Sequence, residues 1–170
     1  VLKRHMPSKW VSFQSAATIG IPDSVLKKPG PFTPDERQTM NRHAAIGASI
    51  LGKSRIELFQ LASEIALTHH ERWDGQGYPN QLAGEDIPLS GRIVAVVDFY
   101  DALTMNRVYR PAFSHEKVLE MLMAERGRAF DPAIVDCFMR SNIAMSAVRE
   151  RVTNQQMTFS DLIQNEPVNP

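Results

Sequence analysis

The chain has 170 residues, of which 43% are hydrophobic, and its 19 basic and 19 acidic side chains cancel to a formal net charge of zero. This length and composition suffice for one globular domain with its own core. The neutral charge excludes the basic surface with which proteins bind nucleic acid polymers or anionic membranes nonspecifically. The longest apolar run, Ile93 to Val97, is far shorter than the roughly 20 residues that cross a bilayer, so no membrane segment is expected.

The chain contains one cysteine, Cys137. A single cysteine excludes an intramolecular disulfide framework and favours a reducing, cytoplasmic location. Because Cys137 lies in the mostly apolar run AIVDCFM, we expect it to be a small buried residue. The first residue is Val1 rather than methionine, which suggests a piece excised from a longer protein.

Apolar residues recur mainly at helical spacing, which predicts an all-α protein. The clearest helix start is at Thr33, an N-cap followed by Pro34 at the first helical position and by Glu36 three residues after the cap. Proline, glycine and capping residues along the chain divide it into five predicted helices, at 33–51, 55–70, 90–105, 114–126 and 131–148. The ends, 1–12 and 165–170, are predicted to be loosely ordered.

The predicted helix at 90–105 is apolar on most faces, which is typical of a buried central helix. Its two acids, Asp98 and Asp101, therefore stand out. A buried aspartate is costly unless a metal ion, a cation or several hydrogen-bond donors compensate it. Asp101 lies about one turn after Asp98, where it would orient a metal ligand through a hydrogen bond without binding the metal itself.

The run THHERWDGQGYP, 68–79, ends the second predicted helix with two histidines and a glycine-rich loop. Adjacent helical side chains point about 100° apart, so His69 and His70 reach one centre only near a helix end. His43 on the preceding helix and Asp98 would complete a set of metal ligands. A hydrogen-bonded core network without metal is the alternative.

Two arginines, Arg107 and Arg110, follow the predicted buried helix. Guanidinium groups bind phosphate oxygens bidentately, so these arginines would hold a phosphate near a metal, or they simply mark a solvated helix end. The loop 74–79 is either a substrate loop or an ordinary turn, since Asp-Gly and Gly-x-Gly are common turn formers. His5 and His115 are interpreted as surface or capping residues.

Taken in order, these motifs resemble the HD-GYP domains, bacterial metal-dependent phosphodiesterases that hydrolyse cyclic di-GMP in second-messenger signalling. The resemblance extends from about residue 19 to residue 139. It rests on the runs IGIPD at 19–23, KPG at 28–30, the helix with His43, HHERWDGQGYP at 69–79, RIVAVVDFYDALT at 92–104, RVYRPAFS at 107–114 and FDP at 130–132.

The resemblance implies an all-α, HD-domain-like helical bundle whose N-terminal helices are truncated or divergent. The implied organisation is a divergent segment at 1–18, the helical domain at 19–148, and a C-terminal helix and tail at 149–170. The implied partners are cyclic di-GMP as substrate, with diguanylate cyclase domains and a second copy of the chain as further candidates.

By resemblance, a divalent metal, most often iron or manganese, is held by four residues: His43, His69, His70 and Asp98. Catalysis by metal-activated water would involve Asp98, with Asp101 supporting the metal ligands. The implied substrate-binding residues are Asp74, Gly75, Gly77, Tyr78, Pro79, Arg107 and Arg110.

The sequence departs from the family where the His-Asp pair should precede Ile19, because Gln14 and Ser15 stand there instead. The family's aspartate bridges two metals, and neither glutamine nor serine replaces an anionic bridge. The departure argues against a full multinuclear centre, although three histidines and Asp98 suffice for one metal. Two alternatives to the enzyme stay open: a non-catalytic module that binds cyclic di-GMP or a diguanylate cyclase, and a truncated product with an incomplete site.

Overall fold

The computed structural model describes residues 20–105 and 111–153, which form eight α-helices and one 3-10 helix. The α-helices are α1 (Asp23–Leu26), α2 (Pro34–Asn41), α3 (His43–Leu51), α4 (Glu57–Thr68), α5 (Leu89–Thr104), α6 (His115–Ala124), α7 (Pro132–Arg140) and α8 (Asn142–Thr153), and the 3-10 helix is Gly84–Asp86. These residues form no β-sheet, so the all-α prediction is confirmed. Within the same ranges, none of the helices has the length and apolar character needed to cross a bilayer.

The start of α2 has the predicted capping box. The Thr33 hydroxyl accepts a hydrogen bond from the Glu36 N–H, and the Glu36 carboxylate accepts one from the Thr33 N–H at 2.7 Å. Ser114 caps α6 in a similar way, by accepting from the Lys117 N–H at 3.2 Å. Both caps satisfy N–H groups that have no partner inside the helix.

The predicted helix at 33–51 is interrupted at Arg42, between α2 and α3. The Arg42 N–H bonds the Thr39 carbonyl three residues back, at 3.3 Å, as in a 3-10 turn. The His43 side chain bonds the Met40 carbonyl. The local competition between side chain and backbone breaks the helix and leaves His43 at the start of a new one.

The last predicted helix, 131–148, is likewise divided, between α7 and α8. The Ser141 N–H is shared between the carbonyls of Cys137 and Phe138, at 3.2 and 3.1 Å. The Asn142 side-chain amide donates to the Met139 carbonyl at 2.6 Å. Shared and side-chain bonds of this kind are typical of helix termini.

The described residues divide after Val135 into two compact units, and the candidate site lies in the first. In that first unit α4 packs on α3 and on α5. The core is made of small and branched apolar side chains, with few aromatic ones. The buried apolar residues of this unit are Ile21, Val25, Ala44, Ala48, Ala62, Ala66, Ile87, Val96, Tyr100, Val118, Leu122, Ala129, Phe130 and Val135.

The contact between α4 and α5 is close because α5 has a glycine there. A Cβ atom added at Gly91 would lie 2.2 Å from Oγ1 and 2.9 Å from Cβ of Thr68, the last residue of α4. On the other side of α4, the Ser63 hydroxyl donates to the Ala48 carbonyl of α3 at 2.8 Å. These contacts fix the end of α4, where the paired histidines follow, against both neighbouring helices.

The predicted buried helix α5 is less enclosed than its apolar composition indicates. Its buried residues are Gly91, Val96, Tyr100 and Thr104, whereas Leu89 and Ile93 are 54% and 42% exposed. The described helices that pack most extensively against it are α4 and α6. Asp98 and Asp101 are accordingly half-buried rather than enclosed.

Cys137 was predicted to be buried, and the structure corrects this, because its side chain is exposed. It lies on α7 between Val135 and Phe138, which are both buried. In a helix, neighbouring residues of a mixed run face different directions, so an apolar run does not bury every member. Cys137 is a free thiol on the surface of its own unit.

Candidate metal centre and substrate loop

Three histidines converge where α3 begins and α4 ends. His43 is the first residue of α3, His69 caps the C-terminus of α4, and His70 follows it. Among the described residues they form a group whose possible ligand atoms all lie within 4.8 Å of one another. The structure thus brings together the three predicted histidines.

Hydrogen bonds to backbone carbonyls fix the tautomers of two of these rings. His43 Nδ1 lies 2.7 Å from the Met40 carbonyl oxygen. His69 Nδ1 lies 3.0 Å from the carbonyl oxygens of both Ile65 and Ala66. A carbonyl only accepts, so each Nδ1 carries the hydrogen and each Nε2 keeps its lone pair. This is the arrangement in which a histidine binds a metal through Nε2.

The third ring, His70, places its Nε2 at 3.0 Å from Nε2 of His43. Two ring nitrogens at this distance need either a hydrogen or a cation between their lone pairs. A metal with bonds of about 2.1 Å to each nitrogen holds them roughly 3 Å apart, so the donor set fits a first-row metal ion. A neutral pair in which His70 donates to His43 satisfies the same distance without metal.

The surroundings of His69 and His70 keep these two rings neutral at pH 7. Burial lowers the pKa of His69, against the attraction of the Asp98 carboxylate. Burial also lowers the pKa of His70 to about 2, and the nearby charges of His69, His43 and Arg37 act in the same direction. Neutral imidazoles have the lone pairs that metal binding requires.

Of the two acids of α5, Asp98 lies near this cluster. The Asp98 carboxylate acts electrostatically on both His69 and Tyr78, although among the described residues it lies outside the tight histidine group. Asp101 follows one turn later, and its carbonyl accepts from the Met105 N–H at 3.1 Å at the end of the helix. A role in metal binding or catalysis for either acid stays a prediction.

Tyr78 stacks on the His70 ring of the cluster. Its ring centroid lies 4.8 Å from that of His70 with 30° between the planes, and its N–H donates to the His70 carbonyl at 3.2 Å. Burial raises the pKa of Tyr78 to about 12, so the phenol is neutral at pH 7. The next peptide bond, to the exposed Pro79, is cis.

The loop that carries Tyr78 passes directly over the chain that follows the histidines. A Cβ atom added at Gly77 would lie 2.3 Å from the Arg72 nitrogen and 2.5 Å from Cα of Glu71, so only glycine fits there. Gly75 donates its N–H to the Arg72 carbonyl at 2.8 Å. Both predicted loop glycines thus lie in a tight turn beside the cluster.

Asp74, predicted to bind substrate, has partners within the protein. Its carboxylate forms a two-pronged ion pair with Arg72, at 3.0 Å to Nε and 2.8 Å to the terminal nitrogen. It also accepts from the Gln76 N–H at 3.1 Å. The bond from Arg72 is the main cause that lowers the pKa of Asp74. In the structure Asp74 therefore shapes the loop, and contact with substrate stays a prediction.

Sequence reasoning missed two residues of this site, Glu71 and Arg37. Glu71 is 3% exposed and accepts from the N–H groups of Asn80 at 2.7 Å and Leu82 at 3.1 Å. Its signal in the sequence is a carboxylate placed between a histidine pair and a loop rich in free N–H groups.

Arg37, on α2, is exposed, and its guanidinium lies over the Phe32 ring at 5.0 Å from the centroid. Its charge reaches both His70 and Tyr78, where it opposes protonation of His70 and partly offsets the effect of burial on the Tyr78 pKa. No sequence motif marked this arginine. Arg107 and Arg110, which the sequence did mark, lie outside the described residues.

The chain matches a family model described as "HD domain" over residues 11–134. It is 52% identical, over 126 residues, to a cyclic di-GMP phosphodiesterase of Vibrio cholerae serotype O1, covering 71% of this chain and 26% of that protein. It is 46% identical, over 131 residues, to a 3'3'-cGAMP-specific phosphodiesterase of the same organism, covering 77% of this chain and 25% of that protein.

A cyclic di-GMP phosphodiesterase response regulator of Xanthomonas campestris pv. campestris is 48% identical over 130 residues, which cover 76% of this chain and 34% of that protein. The chain thus spans only about a quarter to a third of the length of these relatives. A crystal structure of a cyclic GMP-AMP specific phosphodiesterase from V. cholerae matches 96% of this chain and 38% of that chain, with a TM-score of 0.53 and 21% identity. This match confirms the predicted HD-domain-like fold.

Proposed function

We propose, because the chain belongs to the HD domain family and to its HD-GYP branch, that it is a metal-dependent phosphodiesterase domain that hydrolyses cyclic di-GMP. The motif resemblance to that family is confirmed by these relatives. The substrate is inferred from the relatives named as cyclic di-GMP phosphodiesterases. A cytoplasmic location belongs to the same proposal. Diguanylate cyclase domains and a second copy of the chain stay candidate partners from the resemblance alone.

One observation supports this function most strongly: His43 and His69 present Nε2 lone pairs, set by backbone carbonyls, to the same point as His70. HD-domain phosphodiesterases are metal-dependent, and this cluster is able to hold a metal. We propose iron or manganese, with Asp98 as a fourth ligand. Such an ion supplies an activated water and neutralises charge on the phosphoryl oxygens.

The protein's own residues bind and orient the dinucleotide in this proposal. The neutral Tyr78 hydroxyl is a hydrogen-bond donor and acceptor beside His70, and its ring gives a base or a ribose a flat surface to pack against. Arg37 supplies a positive charge at the rim for a phosphate, as do Arg107 and Arg110 by resemblance. Asp101 orients the ligands from behind, and loop residues Asp74, Gly75, Gly77 and Pro79 border the substrate.

The test is metal analysis together with turnover. Protein loaded with Mn²⁺ or Fe²⁺ is incubated with cyclic di-GMP and with 3'3'-cGAMP, and the products are separated by chromatography. His69→Ala should reduce bound metal and turnover by about 100-fold or more, since even residues that only support metal ligands contribute 10- to 100-fold.

The matched control is His115→Ala. His115 bonds the Tyr100 hydroxyl at 2.8 Å and is not part of the histidine group, so its loss should leave turnover within about twofold of the original chain. Metal-loaded protein that binds cyclic di-GMP tightly and cleaves neither dinucleotide would show a binding module instead of an enzyme.

A further inference from the structure

We propose that Glu71 is a positioning residue of this site, whose buried carboxylate holds the segment 78–82 so that Tyr78 stays stacked on His70. This inference rests on the proposed function, because the stacked tyrosine is assigned there to one wall of the dinucleotide site. Glu71 itself contacts neither the candidate metal nor the substrate in this proposal. Its effect is transmitted through the loop.

The placement of Glu71 needs an explanation, because a carboxylate with 3% exposure is costly unless it is well bonded. Its partners are two backbone N–H groups, those of Asn80 and Leu82, one on each carboxylate oxygen. Bonds from N–H groups to an ionised carboxylate are roughly twice as strong as neutral ones. The carboxylate therefore holds residues 80–82, the part of the loop after Tyr78, against the chain that follows α4.

Tyr78 is fixed from both sides by neighbouring bonds. Its own N–H donates to the His70 carbonyl at 3.2 Å, and two residues later Asn80 donates to Glu71 at 2.7 Å. Glu71 is covalently next to His70, so one short stretch of chain carries both the candidate ligand and the clamp. Loss of the Glu71 bonds would free the chain after Tyr78, while the histidines keep their own bonds to backbone carbonyls.

The rest of the loop is held by other groups, which separates the role of Glu71 from theirs. Trp73 and Asp74 donate their N–H groups to the carbonyls of Ala129 and Arg128, at 3.1 and 2.8 Å. The Asp74 side chain is paired with Arg72. These bonds hold the outgoing half of the loop, whereas the Glu71 carboxylate bonds the half that follows Tyr78.

The experiment compares Glu71→Gln with Glu64→Gln. Glutamine keeps the shape of Glu71 but brings an NH₂ group against one of the two N–H donors, so one bond is lost. Glu64 is an exposed residue of α4 that accepts from the Ser90 hydroxyl at 2.6 Å, which makes it a control of the same residue type a short distance earlier in the chain.

We expect Glu71→Gln to raise KM for the dinucleotide about tenfold, with a smaller change in kcat and with unchanged bound metal. Amide hydrogen exchange in a peptide spanning 77–85 should become faster by about tenfold or more. Glu64→Gln should leave KM and loop exchange within about twofold of the original chain. A merely structural residue would lower thermal stability without this split between KM and kcat.

Gly77→Ala tests the position of the same loop in another way, because its methyl group would meet the backbone of Glu71 and Arg72 and push the loop away while leaving the carboxylate intact. It should reproduce the rise in KM, and the double variant should be no worse than the more severe single variant, since both release one contact. This variant also decides the matter if Glu71→Gln fails to fold.

Three results would overturn the proposal. One is a folded Glu71→Gln protein with the original KM and loop exchange. Another is an equal loss of bound metal and kcat, which would place Glu71 in the metal site. The third is a double variant in which the effects of Glu71→Gln and Gly77→Ala on KM add in full. If the original chain cleaves neither dinucleotide, the proposed function fails, and calorimetric affinity for cyclic di-GMP plus loop exchange then decide the role of Glu71 alone.

Discussion

At the scale of single residues, the candidate site depends on hydrogen bonds made by Nδ1 of His43 and His69, the ring nitrogen that is not offered to a metal. His43 and His69 each give their Nδ1 hydrogen to a backbone carbonyl three or four residues earlier in the chain. The helix end therefore selects the tautomer before any ligand arrives, and no additional side chain is needed for this purpose. The loop after the histidines is also held by bonds within the protein, since the Glu71 carboxylate accepts from the N–H groups of Asn80 and Leu82.

Arg37 yields a prediction at this scale. Arg37→Ala should weaken cyclic di-GMP binding about tenfold, because a bond to a charged group contributes about 1.5 kcal/mol. The loss should shrink at high salt, since Arg37 is exposed and its charge is screened. The measurement is calorimetric affinity at low and high salt, with the exposed Arg55→Ala as control. Equal affinities for both variants at low salt would remove Arg37 from the site.

The histidines were predictable from sequence because chemistry and spacing point to them directly. A helix end admits two adjacent ligands, and His43 lies on the helix before. Glu71 and Arg37 were not predictable in the same way. The partners of Glu71 depend on the path of the loop, and the reach of Arg37 depends on how α2 and α3 are joined, neither of which has a periodic signature.

At the scale of elements, the breaks between helices matter more than their lengths. The interruption at Arg42 puts His43 on the first turn of α3, and the sequence predicted one continuous helix there. Propensity and capping signals predicted Thr33 and Ser114 as helix starts. They did not predict the breaks, because those arise from competition between side chains and backbone carbonyls.

The contact of α4 with α5 leads to a prediction at this scale. Gly91→Ala should destabilise the protein by about 1–3 kcal/mol, the usual cost of overpacking, because its methyl group would meet Thr68. Urea unfolding followed by circular dichroism measures this. The neighbouring Ser90→Ala, which removes a bond to the exposed Glu64, should cost less than about 1 kcal/mol. An unchanged midpoint for Gly91→Ala would mean that the helices do not approach this closely.

At the scale of the whole molecule, the fold class and family were predictable from the order of motifs, and the match over residues 11–134 agrees. The exposed face of α5 was not predictable, because burial depends on which neighbours cover a helix and an apolar composition does not specify them. The replaced His-Asp pair at Gln14 and Ser15 lies outside the described residues, so its consequence for metal number belongs to the proposed experiment.

The stability of the metal-free protein should depend on pH. Burial lowers the pKa of His69 and His70 in the folded state, and in the unfolded chain both return to about 6.5. Below that pH the unfolded chain binds more protons, so stability is full above about pH 6.5 and is lost as pH falls. Between pH 7.5 and 5.5 we expect a loss of roughly 1–3 kcal/mol.

Urea midpoints of chelator-treated protein at the two pH values measure this loss. His70→Asn, which carries no titrating ring, should show a clearly smaller decrease than the original chain. His115→Ala serves as the control and should keep the original dependence. If the urea midpoint of His70→Asn fell as much between the two pH values as that of the original chain, the His70 ring would not be the cause of the pH dependence.

The half-buried, carbonyl-bonded histidines would also affect how the domain competes for scarce ions. Metal and protons normally contend for the same nitrogen lone pairs, so mild acidification expels a metal from an ordinary histidine site. At this cluster the protons are already at a disadvantage, because burial disfavours the charged rings. The lowered pKa values of His69 and His70 make the metal-free protein sensitive to acid, and for the same reason they should let the domain retain a metal ion as the pH falls.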